Sequence, residues 1–200
     1  MTEELLYLWF GMISRMTHTV KMNVAMKYGG IRGLWNTSEE QLRDELTQAQ
    51  ADGFLEHRDA GKVAAYAEEL RRNDITYIYP GHKLYPGKLY DIPDPPMLLF
   101  AAGDVDVLAD LDPAVAARKA SVYGREAADR LSGELAASGV TIVSGMALGI
   151  DGAAHRAAMK AGGKTVAVLG SGINVPYPRE NYDIYHDIRN GGGVVLSECG

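Results

Sequence analysis

VTIVSGMALGID, residues 140–151, continuing as GAAHRAAMKAGGKTVAVLGSG to Gly172, is the stretch whose reading decides the fold. A short β-branched run, residues 140–143, stops at Ser144-Gly145, and a glycine-bearing turn follows it. A helix of small residues then opens at Asp151, and a second apolar run spans residues 165–169. The switch from short β-branched runs to helical spacing and back predicts a β-loop-α-β unit. In such a unit the loop leaving the first strand presents backbone N–H groups at a positive helix N-terminus, which favours anions such as phosphate. Gly145 and Gly149 remove Cβ atoms from that loop, so a ligand can approach the backbone closely. The second strand ends in a similar loop, Gly170-Ser171-Gly172.

Working outward on the C-terminal side, Tyr177-Pro178 is followed by a predicted helix over residues 180–189. A Gly191-Gly192-Gly193 turn and a strand over residues 194–196 come next. On the N-terminal side, residues 114–117 read as a strand and Ser121 as a helix cap. Residues 122–138 read as a helix with Ala127, Ala128, Leu131 and Leu135 on its apolar face, ended by Gly139. Repeated β-α alternation implies a parallel sheet with right-handed crossovers and ligands at the carboxyl ends of the strands. The core is therefore expected over residues 114–200.

Residues 73–113 read as a connecting segment leading into that core. A strand candidate at residues 75–79 is followed by Pro80-Gly81, Tyr85-Pro86 and Ile92-Pro93-Asp94-Pro95-Pro96, then by an apolar run over residues 97–100. Prolines at this density force extended or turn conformations. Asp104, Asp106, Asp110 and Asp112 follow, and a solvated loop is the expected role for them rather than a cation site. Residues 1–72 read as helical. Leu5, Leu6, Leu8, Trp9, Ile13 and Met16 form one apolar face and residues 20–26 a second. A third helix is capped at Thr37-Ser38 and holds Leu42 and Leu46; a fourth spans residues 60–72 with Val63, Ala64, Ala67 and Leu70 inward. Tyr7, Trp9, Phe10 and Trp35 are expected in its core.

Composition bounds the function. The 200 residues suit one medium domain with a smaller neighbour, and 46% hydrophobic with 23% charged residues is ordinary for a globular protein. The acidic N-terminus lacks a basic region and a small-residue cleavage site, so no signal peptide is expected. No apolar run is long enough to span a membrane, and one cysteine, Cys199, fits a reducing cytoplasm. The net charge of −6 is unevenly spread: seven Lys or Arg against four acids between residues 114 and 172 give a local +3, leaving −9 elsewhere.

The motifs exclude some chemistries. Gly170-Ser171-Gly172 supplies two glycines of a dinucleotide fingerprint, but Val175-Pro176 stands where the third glycine and helix start belong. Lys164-Thr165 opens a strand, the wrong place for a P-loop. Ser144-Gly145 lacks a nucleophile-elbow context. His155, four residues after Asp151, shares its helix face, so an acid/base pair is conceivable. A histidine satisfied by the helix-cap carboxylate is the expected role.

Ser144-Gly145-Met146-Ala147-Leu148-Gly149-Ile150-Asp151-Gly152-Ala153-Ala154-His155 resembles the core pattern of the DprA/Smf family of DNA-processing proteins. The likeness extends through residues 163–170, Tyr177-Pro178 with Asn181, and the closing Leu196-Ser197-Glu198. Upstream it takes in Tyr85-Pro86, Leu89, Asp94-Pro95-Pro96 and the RKASVYG run from Arg118 to Gly124. The resemblance implies a Rossmann-like, doubly wound parallel α/β sheet preceded by a small all-helical, SAM-like domain. It implies a non-catalytic, cytoplasmic protein without cofactor or metal that binds single-stranded DNA and loads RecA during natural transformation, as a homodimer in the full-length family.

Carried over residue by residue, Arg118 corresponds to the arginine ending the first core strand and Lys164 to a basic position before a later strand. The expected DNA-binding set is Arg118, Lys119, Ser144, Gly145, Ala147, Gly149, Lys164, Gly170 and Gly172. Asp151, His155, Tyr177 and Pro178 are expected as structural loop or cap residues. Two departures stand out. Ala116-Ala117 replaces the family's Gly-Ser before Arg118, and the chain stops at Gly200, before further strands and a basic motif; a strand at residues 194–196 would then lie at an open sheet edge. Two other readings remain open at this point: an enzyme processing a nucleotide or nucleoside phosphate, although the P-G-G-x-G-T-x-x-E stretch of such relatives is missing, and a protein-interaction module centred on the helical N-terminus.

Overall fold

The computed structural model describes residues 1–13, 16–109, 113–115 and 121–200, with the side chains of 113–115 left aside. Asp110, Asp112, Ala116, Ala117, Arg118 and Lys119 lie outside the described residues. Two compact units are present. The first comprises Met1–Asn73 with Gly87–Leu98, the second Asp74–Pro86 with Leu99–Gly200. Residues 73–113, expected as one connecting segment, are thus divided between the units.

The first unit is helical: α1 Glu3–Met12, α2 His18–Lys27, α3 Ile31–Asn36, α4 Glu39–Glu45, α5 Gln48–Glu56 and α6 Ala60–Arg72. Trp9, Phe10, Leu34, Leu42, Phe54 and Val63 are fully buried, with Trp35 set edge-on to Trp9 at 4.9 Å between ring centroids. Two of the helices, α3 and α5, go beyond the four expected. Leu46 does not extend the helix holding Leu42, because Thr47 opens α5 with a reciprocal capping box to Gln50.

The second unit is built on a six-stranded sheet of β1 Ile75–Ile78, β2 Leu99–Gly103, β3 Pro113–Val115, β4 Thr141–Ser144, β5 Thr165–Leu169 and β6 Gly193–Ser197, in the order β1-β2-β6-β5-β4-β3. Strands β3 to β6 are mutually parallel, as alternation with α7 Val122–Ala137, α8 Ile150–Lys160 and α9 Tyr182–Asp187 requires. Each crossover steps to the next strand in the same direction, so right-handed connections place α7, α8 and α9 on one face. Beyond β6 the sheet is mixed: β2 pairs antiparallel with β6, and β1 with β2. The expected open edge at residues 194–196 is therefore not there. β6 lies between β5 and β2, with Val194 and Val195 fully buried, because the proline-rich stretch brings two strands into the sheet. Gly193 makes that central position possible: its φ is 152°, and a Cβ there would collide with the Thr165 carbonyl. No described helix is long and apolar enough to cross a membrane.

Candidate nucleic-acid interface

Strand β4 delivers its loop at the carboxyl end of the sheet, and the loop is held from below by side chains. The Asp151 carboxylate, buried on the first turn of α8, accepts from Gly145 N–H at 3.1 Å and Ala147 N–H at 3.2 Å. The Asn181 amide donates to the carbonyls of Met146 at 2.9 Å and Ala147 at 3.1 Å. Met146 sits at φ 58° with its side chain fully buried, and Gly149, at φ 97°, turns the chain into α8. The neighbouring loop after β5 is fixed likewise: Ser171 Oγ donates to Val175 O at 2.6 Å, and Ser197 Oγ donates to Ser171 O at 2.6 Å. Such internal satisfaction removes the ordering cost that a loose loop would carry on binding.

Between the two loops opens a cleft of about 460 Å³, lined by Gly145, Ala147 and Leu148 on one side, Gly170 and Ser171 on the other, and Tyr177-Pro178 at the end. The Tyr177-Pro178 peptide bond is cis. A cleft of this size is within the usual range for a small ligand or part of a larger one. It lies at the carboxyl ends of adjacent parallel strands, where open α/β sheets take their ligands. Among the described residues its walls are backbone and mainly apolar side-chain groups. The Gly145 and Ala147 N–H groups already serve the Asp151 carboxylate, so they are not the phosphate donors that the sequence suggested.

The predicted set divides accordingly. Gly145, Ala147 and Gly170 line the cleft, whereas Ser144 is buried beneath it and Gly149 serves as the N-cap of α8. Gly172 lies two residues past the wall at Gly170 and does not line the cleft. Lys164 is not with them. It precedes β5, about 20 Å of extended chain from Gly170. Its Nζ pairs with Asp104 Oδ2 at 3.0 Å and donates to Gly191 O at 2.7 Å. There it joins Arg156 and Lys160 around a second cleft of about 610 Å³. Arg156 in turn forks onto the Asp183 carboxylate.

The cation that sequence reasoning passed over is Arg179, exposed and directly after the cleft residue Pro178. The count of charges ends at Gly172, so it leaves out this arginine, which opens the short turn after Pro178.

His155 is fully buried, and its partner is Thr165 rather than the expected carboxylate. Thr165 Oγ1 donates to Ile142 O at 2.7 Å, so the 2.7 Å contact to His155 places the imidazole proton on Nδ1. Burial lowers the His155 pKa from 6.5 to about 4, against the opposing pull of the Asp151 carboxylate. His155 Nε2 and Ser144 Oγ have no hydrogen-bond partner among the described residues, so the two are not joined as base and nucleophile. Tyr177, expected as a structural residue, instead exposes 73% of its surface, whereas Pro178 is buried. Among the described residues no group of three or more His, Cys, Asp or Glu is placed to hold a metal ion.

A parallel α/β core with a glycine-walled cleft at the carboxyl ends of its strands defines a protein of the Rossmann-like class, which takes its ligands at that edge. The model of one family of that class, DNA recombination-mediator protein A, matches residues 76–200, and the chain belongs to that family. Among curated proteins it is 40% identical over 124 residues to DNA processing protein DprA of Bacillus subtilis, covering 61% of this chain and 40% of the relative. It is 39% identical over 150 residues to protein Smf of Escherichia coli, covering 70% and 40%. The chain thus spans about 40% of the length of these relatives.

Among solved structures, DNA processing protein A from Streptococcus pneumoniae matches with a TM-score of 0.72 at 28% identity, covering 98% of this chain and 67% of that one. DNA processing protein A from Helicobacter pylori, described for its single-stranded DNA binding mode, matches with a TM-score of 0.54 at 28% identity, covering 62% and 55%.

Proposed function

We propose that this chain binds single-stranded DNA along the carboxyl edge of β4 and β5. Within a full-length, homodimeric family member in the cytoplasm, that activity would protect incoming strands and load RecA onto them during natural transformation, without a catalytic step. The observation that carries the reading is the convergence of the Gly145 and Gly170 loops, from neighbouring parallel strands, on one cleft, with the exposed Arg179 directly after its lining residue Pro178. Family membership and the DNA-binding mode of the Helicobacter pylori relative point the same way. Arg179 supplies phosphate charge outside the cleft, and Arg118 and Lys119, outside the described residues, are the further cations that family resemblance adds. Such contacts position a backbone without reading sequence, and each releases counterions.

Fluorescence anisotropy with labelled oligo-dT across a salt series tests this. Affinity is expected to fall steeply with salt, and Arg179→Ala to weaken binding equally for all base sequences while lowering the salt slope by about 1. Absence of strand binding, with turnover of a nucleotide or nucleoside phosphate instead, would overturn it in favour of a processing enzyme.

A further inference from the structure

Towards the amino end of the sheet, α8 and α9 descend side by side on the same face, and their exits form a ladder of facing residues. Arg156, Lys160 and Lys164, spaced four apart along α8 and the chain that leaves it, each stand 27 positions ahead of Asp183, Asp187 and Gly191 on α9 and the turn that leaves it. The first and third rungs are closed: Arg156 forks onto the Asp183 carboxylate, and Lys164 Nζ donates to Gly191 O at 2.7 Å. The middle rung is open. Among the described residues no hydrogen bond or ion pair engages the side chain of Lys160 or of Asp187, although both line the cleft of about 610 Å³. Asp187 nonetheless stands close to the ladder: its charge adds to the Asp183 hydrogen bond in holding the Arg156 guanidinium above its ordinary pKa.

An open pair of exposed charges signifies nothing by itself, because closing it gains little. Here the gap between the two ends is a cleft within the usual size range for a small ligand. Asn190 adds an amide to its lining and Met159 an apolar wall, with Gly192 against the Met159 sulfur where a Cβ would collide.

Charge decides what fits. With Asp104, which pairs with Lys164 at 3.0 Å, the ladder holds three cations and three carboxylates among the described residues. A phosphate or a simple carboxylate would meet Lys160 but face Asp187, and an amine would meet Asp187 but face Lys160. A molecule carrying both charges meets a partner at each end through charge-assisted hydrogen bonds.

We infer that this cleft binds a small zwitterion, an α-amino acid with an apolar side chain, its carboxylate on Lys160, its ammonium on Asp187 and the Asn190 carbonyl, and its side chain against Met159. The site is separate from strand binding at the carboxyl edge and does not depend on it.

Isothermal titration calorimetry of the 200-residue chain tests this with leucine, glycine and the two analogues of leucine that keep one charge each, 4-methylpentanoate and 3-methylbutylamine. Leucine is expected to bind more tightly than glycine, and each analogue about tenfold or more weaker than leucine, as the loss of one charge-assisted hydrogen bond requires. Lys160→Met and Asp187→Asn should each weaken leucine by about tenfold or more, and a melting curve for each variant separates lost binding from lost folding. Failure of both leucine and glycine to bind up to millimolar concentration would overturn the site. So would binding of 4-methylpentanoate as tight as that of leucine, which would leave an anion site only, or unchanged leucine affinity in Lys160→Met or Asp187→Asn.

Discussion

At the scale of single residues, Asp151 and His155 divide the work that one spacing suggested they share. Four residues apart on α8, they look like partners in sequence. The fold points Asp151 back at the Gly145 and Ala147 N–H groups and sends His155 to Thr165 on β5. An i, i+4 relation fixes a common helix face but not which strand or loop that face meets, so the assignment needed the sheet register.

A measurable consequence follows from the buried imidazole. The folded state holds His155 neutral down to about pH 4, while the unfolded chain protonates it near 6.5. The unfolded state therefore binds more protons between those values. Stability is complete above 6.5, declines as pH falls from 6.5 towards 4, and loses about 3 kcal/mol in total from this group. Urea melts of wild type and His155→Gln at pH 7.5, 6, 5 and 4 are expected to show that decline only in the wild type. Parallel pH profiles would contradict the assignment.

At the scale of elements, the sheet strands and the glycine loops were legible and the helix faces less so. β5 coincides with the apolar run at residues 165–169, and β4 and β6 each fall within a residue of the expected bounds. α7 occupies nearly the expected span, but Leu131 and Leu135, which define its apolar face in sequence, are 50% and 39% exposed. Ser132 and Ala136 are buried in their place, and Ala136 shares a core cluster with Ile142, Ala154 and Ala158. α7 meets α8 through small side chains, and small residues carry little hydrophobic signal although they decide how closely two helices approach. The strands β1 and β2 were seen as apolar runs, but no local pattern states that they join β6 from the other side.

The two loop glycines differ in a testable way. A Cβ on Gly145 meets the Asp151 carboxylate at 3.1 Å, whereas one on Gly170 meets nothing within 4 Å. Gly170→Val is expected to melt like wild type yet lose about tenfold in oligo-dT affinity by filling the cleft. Gly145→Val is expected to lose both stability and binding. Unchanged affinity in Gly170→Val, checked by anisotropy beside a thermal melt, would show that the strand runs elsewhere.

For the molecule as a whole, the central matter is which end of the parallel sheet meets DNA. Charge counting along the sequence put Arg118, Lys164 and the glycine loops together. The fold instead carries Lys164 to the amino end of β5, into a cleft with Arg156 and Lys160. Two of those three cations are committed to Asp104 and Asp183, so that more basic cleft offers less free charge than its composition suggests. Sequence distance hid this, since six residues of extended chain are enough to cross a sheet from one end to the other. The proposed site is the opposite, carboxyl edge, with its fixed loops and cleft and with Arg179 directly after the lining residue Pro178.

Photo-cross-linking of the chain to an oligo-dT carrying 5-iodouracil, followed by peptide mapping, addresses this directly. Adducts are expected within residues 145–148 and 170–179, at the carboxyl ends of β4 and β5. Adducts confined to residues 156–164 and 190–192 would place the strand at the opposite end of the sheet and contradict the account.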